Sequence, residues 1–363
     1  SEMCIRDSMD STAQERQGVA FNQAVYRALE ASDQWRFVAR SQAYGDVGLD
    51  AAAARKDFDD RLAEVRRLSQ PVMNDWSLEP LWARIDQDLA AVPGTTGTTP
   101  AGIYTAMTRL SRSVGALLPQ AVDRSGLALD PELSSYYLMS AALMRGPEII
   151  RATAELRGLA GGALRAGRIE PADLARMADL RSGITHEMAK AQEDLGKVRV
   201  AEPDFAKGLM LEAPAATAAF MQQIDSLFPP GTVAVQGDAK SLIALANQTL
   251  AVQYRQVQTN LGVLDQLLGR REAQLWTQLW AKLAVTTASL LLALFLAMGF
   301  YRSMFGGFKA LRRHLLAISM GDLRATIDSK GRDEVSDLLR EGGYMKASLR
   351  ETVQAVQGAS DSV

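Results

Sequence analysis

The sequence predicts an all-α protein: an elongated antiparallel helical bundle, one membrane-crossing helix, and a short helix–connector–helix. Three observations lead there. Alanine and leucine are abundant, aromatic residues make up only 6% of the chain, and runs rich in β-branched residues are scarce. Apolar residues recur three and four apart in stretches of residues 9–275, the period of a helix with one buried face. Residues 283–300 are eighteen consecutive uncharged, mostly apolar positions. At about 1.5 Å per residue they span about 27 Å, close to one hydrocarbon core.

Composition also excludes much. The net charge is −2 with a pI near 5.9, so no nucleic-acid partner is expected. Cys4 is the only cysteine, which rules out an internal disulfide and a cysteine-based metal site. His186 and His314 fall on opposite sides of the apolar span. Neither a metal cluster nor a Ser/His/Asp triad can be assembled from them, so no cofactor and no enzymatic activity are expected.

The elements follow in order. The first eight residues, SEMCIRDS, have no basic start, apolar middle or small-residue cleavage site. Residues 1–8 read as an extraneous tail, with a first membrane helix expected upstream of Met9. Phe58, Leu62, Val65, Leu68 and Val72 form one apolar stripe. Residues 93–100, bracketed by Pro93 and Pro100, read as a loop. Asp130, Pro131 and Glu132 read as a helix start, with Asp130 as the cap and Pro131 at the first helical position. The helix that follows carries Tyr136, Tyr137, Leu138 and Met139. A stretch rich in small residues from Gly158 to Gly167 ends the next helix, Pro171 opens another, and Pro229, Pro230 and Gly231 mark a turn.

The clearest helix comes last. Leu250, Tyr254, Val257, Leu261, Leu264 and Leu268 are spaced 4, 3, 4, 3 and 4 apart, with no proline before the apolar span. One helix can therefore run from about Lys240 through the membrane, a rod of roughly 90 Å. Its seam either transmits a small displacement or simply packs the bundle. Trp276, Trp280 and Tyr301 bracket the span as interfacial aromatics, and Lys282 can snorkel. Basic residues lie on both sides, so the charge rule alone does not orient it.

After the span, Leu311, Leu315 and Ile318 form a short seam that breaks at Gly321. A connector pegged by Leu323 and Ile327 runs to Gly331. A second helix starts at Asp333 and Glu334 and carries Val335, Leu338, Gly342, Met345, Leu349 and Val356, mostly at heptad spacing. Two such helices cannot bury their seams alone, whereas a parallel homodimer makes a four-helix bundle of them. Residues 353–363 stop inside a helical pattern, so the chain reads as a fragment.

The run GDLRATIDSKGRDE (321–334) resembles the HAMP linker of bacterial transmembrane receptors in its Gly-Asp-Leu opening, connector apolars, connector glycine and Asp-Glu helix start. It departs in carrying Gly307 where a proline is usual, and Gly343-Tyr344 where Phe-Asn is usual. Residues 345–356 are similar to the start of the signalling helix of methyl-accepting chemotaxis proteins. Upstream, Glu15-Arg16-Gln17-Gly18 with Tyr26, the run DRSGLALDPELSSYYLM (123–139), and Arg157-Gly158 resemble helical sensor domains of proteobacterial chemoreceptors and sensor kinases. Trp35-Arg36-Phe37 stands where those domains often have His-Arg-Gly, so no role attached to that motif is carried over.

The resemblance implies a chemoreceptor in the bacterial inner membrane. It implies residues 9–275 as a periplasmic sensor, 276–301 as the membrane helix, 302–353 as a HAMP linker and 354–363 as the start of a truncated signalling helix. The implied partners are a second copy, membrane lipid, a small-molecule ligand or a periplasmic binding protein, and a chemotaxis adaptor and kinase reached through a cytoplasmic hairpin. The input half of a sensor histidine kinase is the alternative, and a membrane-tethered coiled coil a third reading. Signal relay would fall on Leu311, Leu315, Ile318, Gly321, Leu323, Ile327, Glu334, Val335, Leu338 and Met345. For ligand binding the residue types single out Arg36, Tyr136, Tyr137 and Arg145, because arginine clamps carboxylates and tyrosine offers a ring and a hydroxyl. Ordinary helix packing is the competing explanation for all four.

Overall fold

A computed structural model describes residues 2–92, 99–324 and 334–360, the side chains of residues 2–5, 303, 335, 359 and 360 excepted. Among these residues the protein is helical, with no strand beyond an isolated bridge between Arg168 and Ala234. The helices are α1 (Glu2–Ala43), α2 (Ala51–Ser69), α3 (Glu79–Ala90), α4 (Pro100–Gly115), α5 (Leu117–Arg124) and α6 (Leu133–Met139). They continue as α7 (Gly146–Ala166), α8 (Pro171–Ala201), α9 (Pro203–Ala206), α10 (Ala213–Leu227), α11 (Ala239–Ser319) and α12 (Glu334–Ser360). The chain divides into two units, Ser1–Thr277 and Gln278–Val363.

In the first unit one apolar core is shared by most of the helices. Helix α1 contacts α2, α4 and α5, and its middle is buried on several sides, as a core helix should be. The α2 stripe points inward: Phe58, Leu62 and Val65 are buried, Leu68 is partly so, and Val72 lies in a short 3₁₀ turn. All six seam residues of α11, from Leu250 to Leu268, are buried. That seam packs the core, as one of the two readings required.

Between α6 and α7 the chain makes a π-helix, Ser140–Arg145. Pro147 has no N–H to bond the carbonyl of Leu143, and the preceding Gly146 N–H reaches back five residues to Ala141. The Tyr26 hydroxyl donates to the Ala142 carbonyl at 2.6 Å.

Two local expectations need adjusting. Helix α6 begins at Leu133, two residues after Pro131, because Asp130 does not cap it. The Asp130 carboxylate instead accepts from the Glu132 N–H at 2.9 Å and from Arg271 at 2.8 Å. Pro100 is the first residue of α4, with Thr99 as its cap accepting from Gly102 N–H at 3.1 Å. The small-residue stretch does end α7: it stays helical until Gly167, which takes a left-handed φ of 71°. The remaining expectations for residues 93–98, and those for Ile327, Gly331 and Asp333, lie outside the described residues, as does the side chain of Val335.

Gly18 marks a close approach of α1 to the turn before α6. A Cβ there would lie 2.2 Å from Ser125 Oγ and 2.5 Å from Ser125 Cβ. Gly18→Ala should therefore force the turn away and destabilise the unit by about 1–3 kcal/mol. Gly183→Ala, on the exposed face of α8 with nothing within 4 Å, should stabilise by about 1 kcal/mol. Thermal unfolding of the two purified variants of this chain in detergent checks the opposite signs.

In the second unit no residue of the apolar window of α11 is buried, and this helix is long and apolar enough to cross a membrane. Trp280 and Tyr301 are exposed at its ends. The helix stops where Gly321 adopts φ 81°. There the Gly321 N–H bonds the Ile318 carbonyl at 3.0 Å and the Asp322 N–H the Ala317 carbonyl at 2.9 Å, a glycine-terminated cap. Leu311, Ile318 and Leu323 are half-buried and Leu315 exposed, and α12 opens at Glu334.

Candidate functional site

Helix α1 places Asp33, Arg36 and Arg40 at i, i+3 and i+7, on one face of a largely buried segment. Arg36 and Asp33 form a buried ion pair, and Arg157 of α7 reaches the same Asp33 oxygen at 3.3 Å. Asp33, Arg36 and Arg157 are only 6%, 8% and 7% exposed. Two guanidiniums thus share one carboxylate in the core. Burial alone would raise the Asp33 carboxyl, but Arg157 and Arg36 outweigh it and hold it below the ordinary carboxylate value. The other donors are partly satisfied: Arg36 Nη1 donates to Thr108 Oγ1 at 3.1 Å and Arg157 Nη1 to Asn247 Oδ1 at 2.7 Å.

This trio stands where three hollows meet. A cavity of about 310 Å³ lies among α1, α4, α7 and α11, with Tyr26, Arg36, Tyr104, Thr108 and Tyr254 on its wall. A narrow cleft of about 40 Å³ shares Arg36, Tyr104 and Ala154 with it and adds Arg40, Arg157 and Arg165. A third hollow, about 450 Å³, opens on the far side of Asp33, Arg157 and Tyr254. Burial pushes the hydroxyls of Tyr26 and Tyr254 well above the ordinary phenol value, so both stay neutral. Arg40 stacks over the rings of Tyr104 at 4.8 Å and Tyr44 at 5.6 Å.

Of the four residues singled out from the sequence, Arg36 lines the cavity and the other three do not. Tyr136 is exposed and meets Tyr137 edge-on at 5.7 Å. Tyr137 lies under the Lys197 ammonium at 4.4 Å, and Arg145 pairs with Glu187 at 3.1 Å. Sequence reasoning passed over Asp33, Arg40 and Tyr104, and took Tyr254 only as a seam residue and Arg157 only as part of a family signature. The available signal was Asp33 three residues before Arg36 within a buried stripe.

A second cluster gathers the two upstream signature runs. Arg271 of α11 reaches Glu15 at 3.0 Å, Asp130 at 2.8 Å and Glu132 at 3.0 Å. Its neighbour Arg16 pairs with Asp265 at 2.8 Å and Glu272 at 2.7 Å. The Glu15-Arg16-x-Gly18 motif and residues 125–135 thus clasp α11 shortly before Trp276. Glu15 is held up to about 7, chiefly by burial and then by Asp130, against the pull of Arg271.

Among the described residues no three His, Cys, Asp or Glu side chains are grouped to hold a metal ion. Compared with protein-family models, curated proteins and solved structures, the chain matches none.

Proposed function

We propose that the chain is the input part of a bacterial chemoreceptor of the methyl-accepting class. In this reading residues 9–275 are an antiparallel periplasmic bundle that receives a small molecule or a ligand-loaded binding protein. Residues 276–301 cross the inner membrane, and residues 302–353 form a HAMP linker in a parallel homodimer. The linker passes the change to a cytoplasmic output that engages a chemotaxis adaptor and kinase. The observation that carries the proposal is α11 itself. One unbroken helix is buried in the first unit along Leu250–Leu268 and bare along its apolar window. A ligand that favours one packing of the first unit over another by a few kcal/mol acts directly on that helix.

The linker surface supports a second copy. Leu338, Met345, Leu349, Val353 and Val356 of α12 are 42–63% exposed in the single chain. Such a seam needs a partner.

The test is membrane topology. In a Cys4→Ser background, Asp179→Cys on exposed α8 and Glu351→Cys on exposed α12 are each expressed in bacteria and treated with a membrane-impermeant maleimide. After permeabilising only the outer membrane, the first should label and the second should label only on lysis. Labelling of both from one side would overturn the proposal.

A further inference from the structure

We infer that the cleft beside Arg40, with the cavity that shares Arg36 and Tyr104, binds a small organic carboxylate carrying a flat or branched apolar body. This deepens the receptor reading and rests on it for its biological role, while the binding chemistry stands on the side chains alone.

Charge comes first. Arg36, Arg40, Arg157 and Arg165 all line the cleft. Against these four, Asp33 answers Arg36 and Arg157, and Asp46 answers Arg165 at 2.7 Å. Two positive charges remain without a carboxylate among the described ion pairs, in a cleft where Arg36 and Arg157 are buried and Arg40 half-buried. An anion is what such a site lacks.

Arg40 is the group left waiting. Its Nη1 donates to the Gly158 carbonyl at 3.2 Å and its Nη2 to the Tyr44 hydroxyl at 3.4 Å. Its Nε is buried and has no hydrogen-bond partner. Room for the guanidinium comes from α7, where a Cβ at Gly158 or Gly162 would stand 3.2 or 3.3 Å from its nitrogens. Glycines inside a helix weaken it, and here they admit a planar cation pinned between two rings. A guanidinium fork matches a carboxylate with two parallel bonds.

Size and polarity then choose the body. The cleft, at about 40 Å³, has space for a head group and little more. The adjoining cavity is about 310 Å³, at the lower end of ligand-sized pockets. Leu29, Leu118, Ile150 and the Tyr26 ring give it an apolar wall, Thr108 and Ser111 add hydroxyl contacts, and the remaining lining includes Arg112 and the mutually paired Glu148, Arg151 and Glu155. An inorganic oxyanion would fill the cleft and leave that wall uncovered. A carboxylate with an aromatic or branched aliphatic body covers both.

The experiment is calorimetry on the full chain in lipid nanodiscs with benzoate and isovalerate, against benzylamine, benzamide and nitrate. At least one of the two carboxylates should bind. Arg40→Met should weaken that binding at least about tenfold, the loss of a charge-assisted bond, and Arg40→Lys, which keeps the charge without the fork, should weaken it less. Arg124→Met, on the exposed end of α5, should bind as the parent does. The inference is overturned if neither carboxylate binds, if the amine or amide binds as well, or if nitrate matches benzoate. It is equally overturned if both Arg40 variants keep the parent affinity. Because binding is read without any output, its failure leaves the topology test standing. Same-side labelling would remove the receptor reading while leaving a measured affinity intact.

Discussion

Asp33→Asn should destabilise the first unit by about 3–5 kcal/mol, because it leaves two buried guanidiniums facing each other without a counter-charge. The geometry is unforgiving. Arg36 comes from α1 and Arg157 from α7, both less than a tenth exposed, and both converge on one Asp33 oxygen. Asparagine keeps the shape and one acceptor but none of the charge. The expected result is a fall of roughly 10 °C in the unfolding temperature of the full chain in detergent, taking about 2–4 °C per kcal/mol for a domain of this size. Substituting Arg157→Met in the same chain should recover part of the loss, since removing one cation relieves the repulsion. A pure packing defect would instead grow worse with the second change. The parent pair should also resist acid. The Asp33 carboxyl is held below its ordinary value, so its contribution is complete above that value and lost only as pH falls through the lowered one.

What the sequence made legible was whatever repeats along one element. The α11 seam could be read because a 3.5-residue rhythm survives unbroken from Leu250 to Leu268, and each member proved buried. The stop at Gly321 could be read because a left-handed residue after an apolar seam has few other meanings. Pro171 and Gly167 worked for the same local reasons. Failures came where a residue answers to a distant partner. Asp130 next to Pro131 carries every mark of a helix cap, yet Arg271, 141 positions away, claims its carboxylate. Arg157 finds Asp33 across 124 positions, and no window along the chain contains both. Tyr136 and Tyr137 illustrate a third limit. Adjacent residues on a helix point about 100° apart, and without knowing the buried side the pattern could not say which faced a cavity. Neither does: one is exposed, and the other is taken up by Lys197.

Raising the pH from about 4.5 to 8 should weaken the first unit chiefly through Glu15, with Glu30, whose carboxyl is also pushed up by burial, acting in the same direction. The Glu15 carboxyl titrates at about 7 in the fold against an ordinary 4.5, so the folded state holds a proton that the unfolded chain has already released. The contribution is therefore fully present below about 4.5 and is lost as pH rises through 7. A displacement of that size corresponds to roughly 3 kcal/mol. The cause is crowding: Glu15, Asp130 and Glu132 all lean on the single guanidinium of Arg271, and Glu15 and Asp130 are nearly inaccessible to water. The other charges facing the cluster do not relieve it, since Arg16 is engaged by Asp265 and Glu272, and Arg270 by Glu202 at 2.6 Å. Glu15→Gln is neutral at every pH and keeps the hydrogen-bonding atoms. It should match the parent near pH 4.5 and exceed it by up to roughly 3 kcal/mol at pH 8, so that the two denaturation curves separate progressively between those limits. Parallel profiles would mean that Arg271 alone satisfies all three carboxylates. In that case the clasp on α11 ahead of the apolar window is held by ion pairing, not by a retained proton.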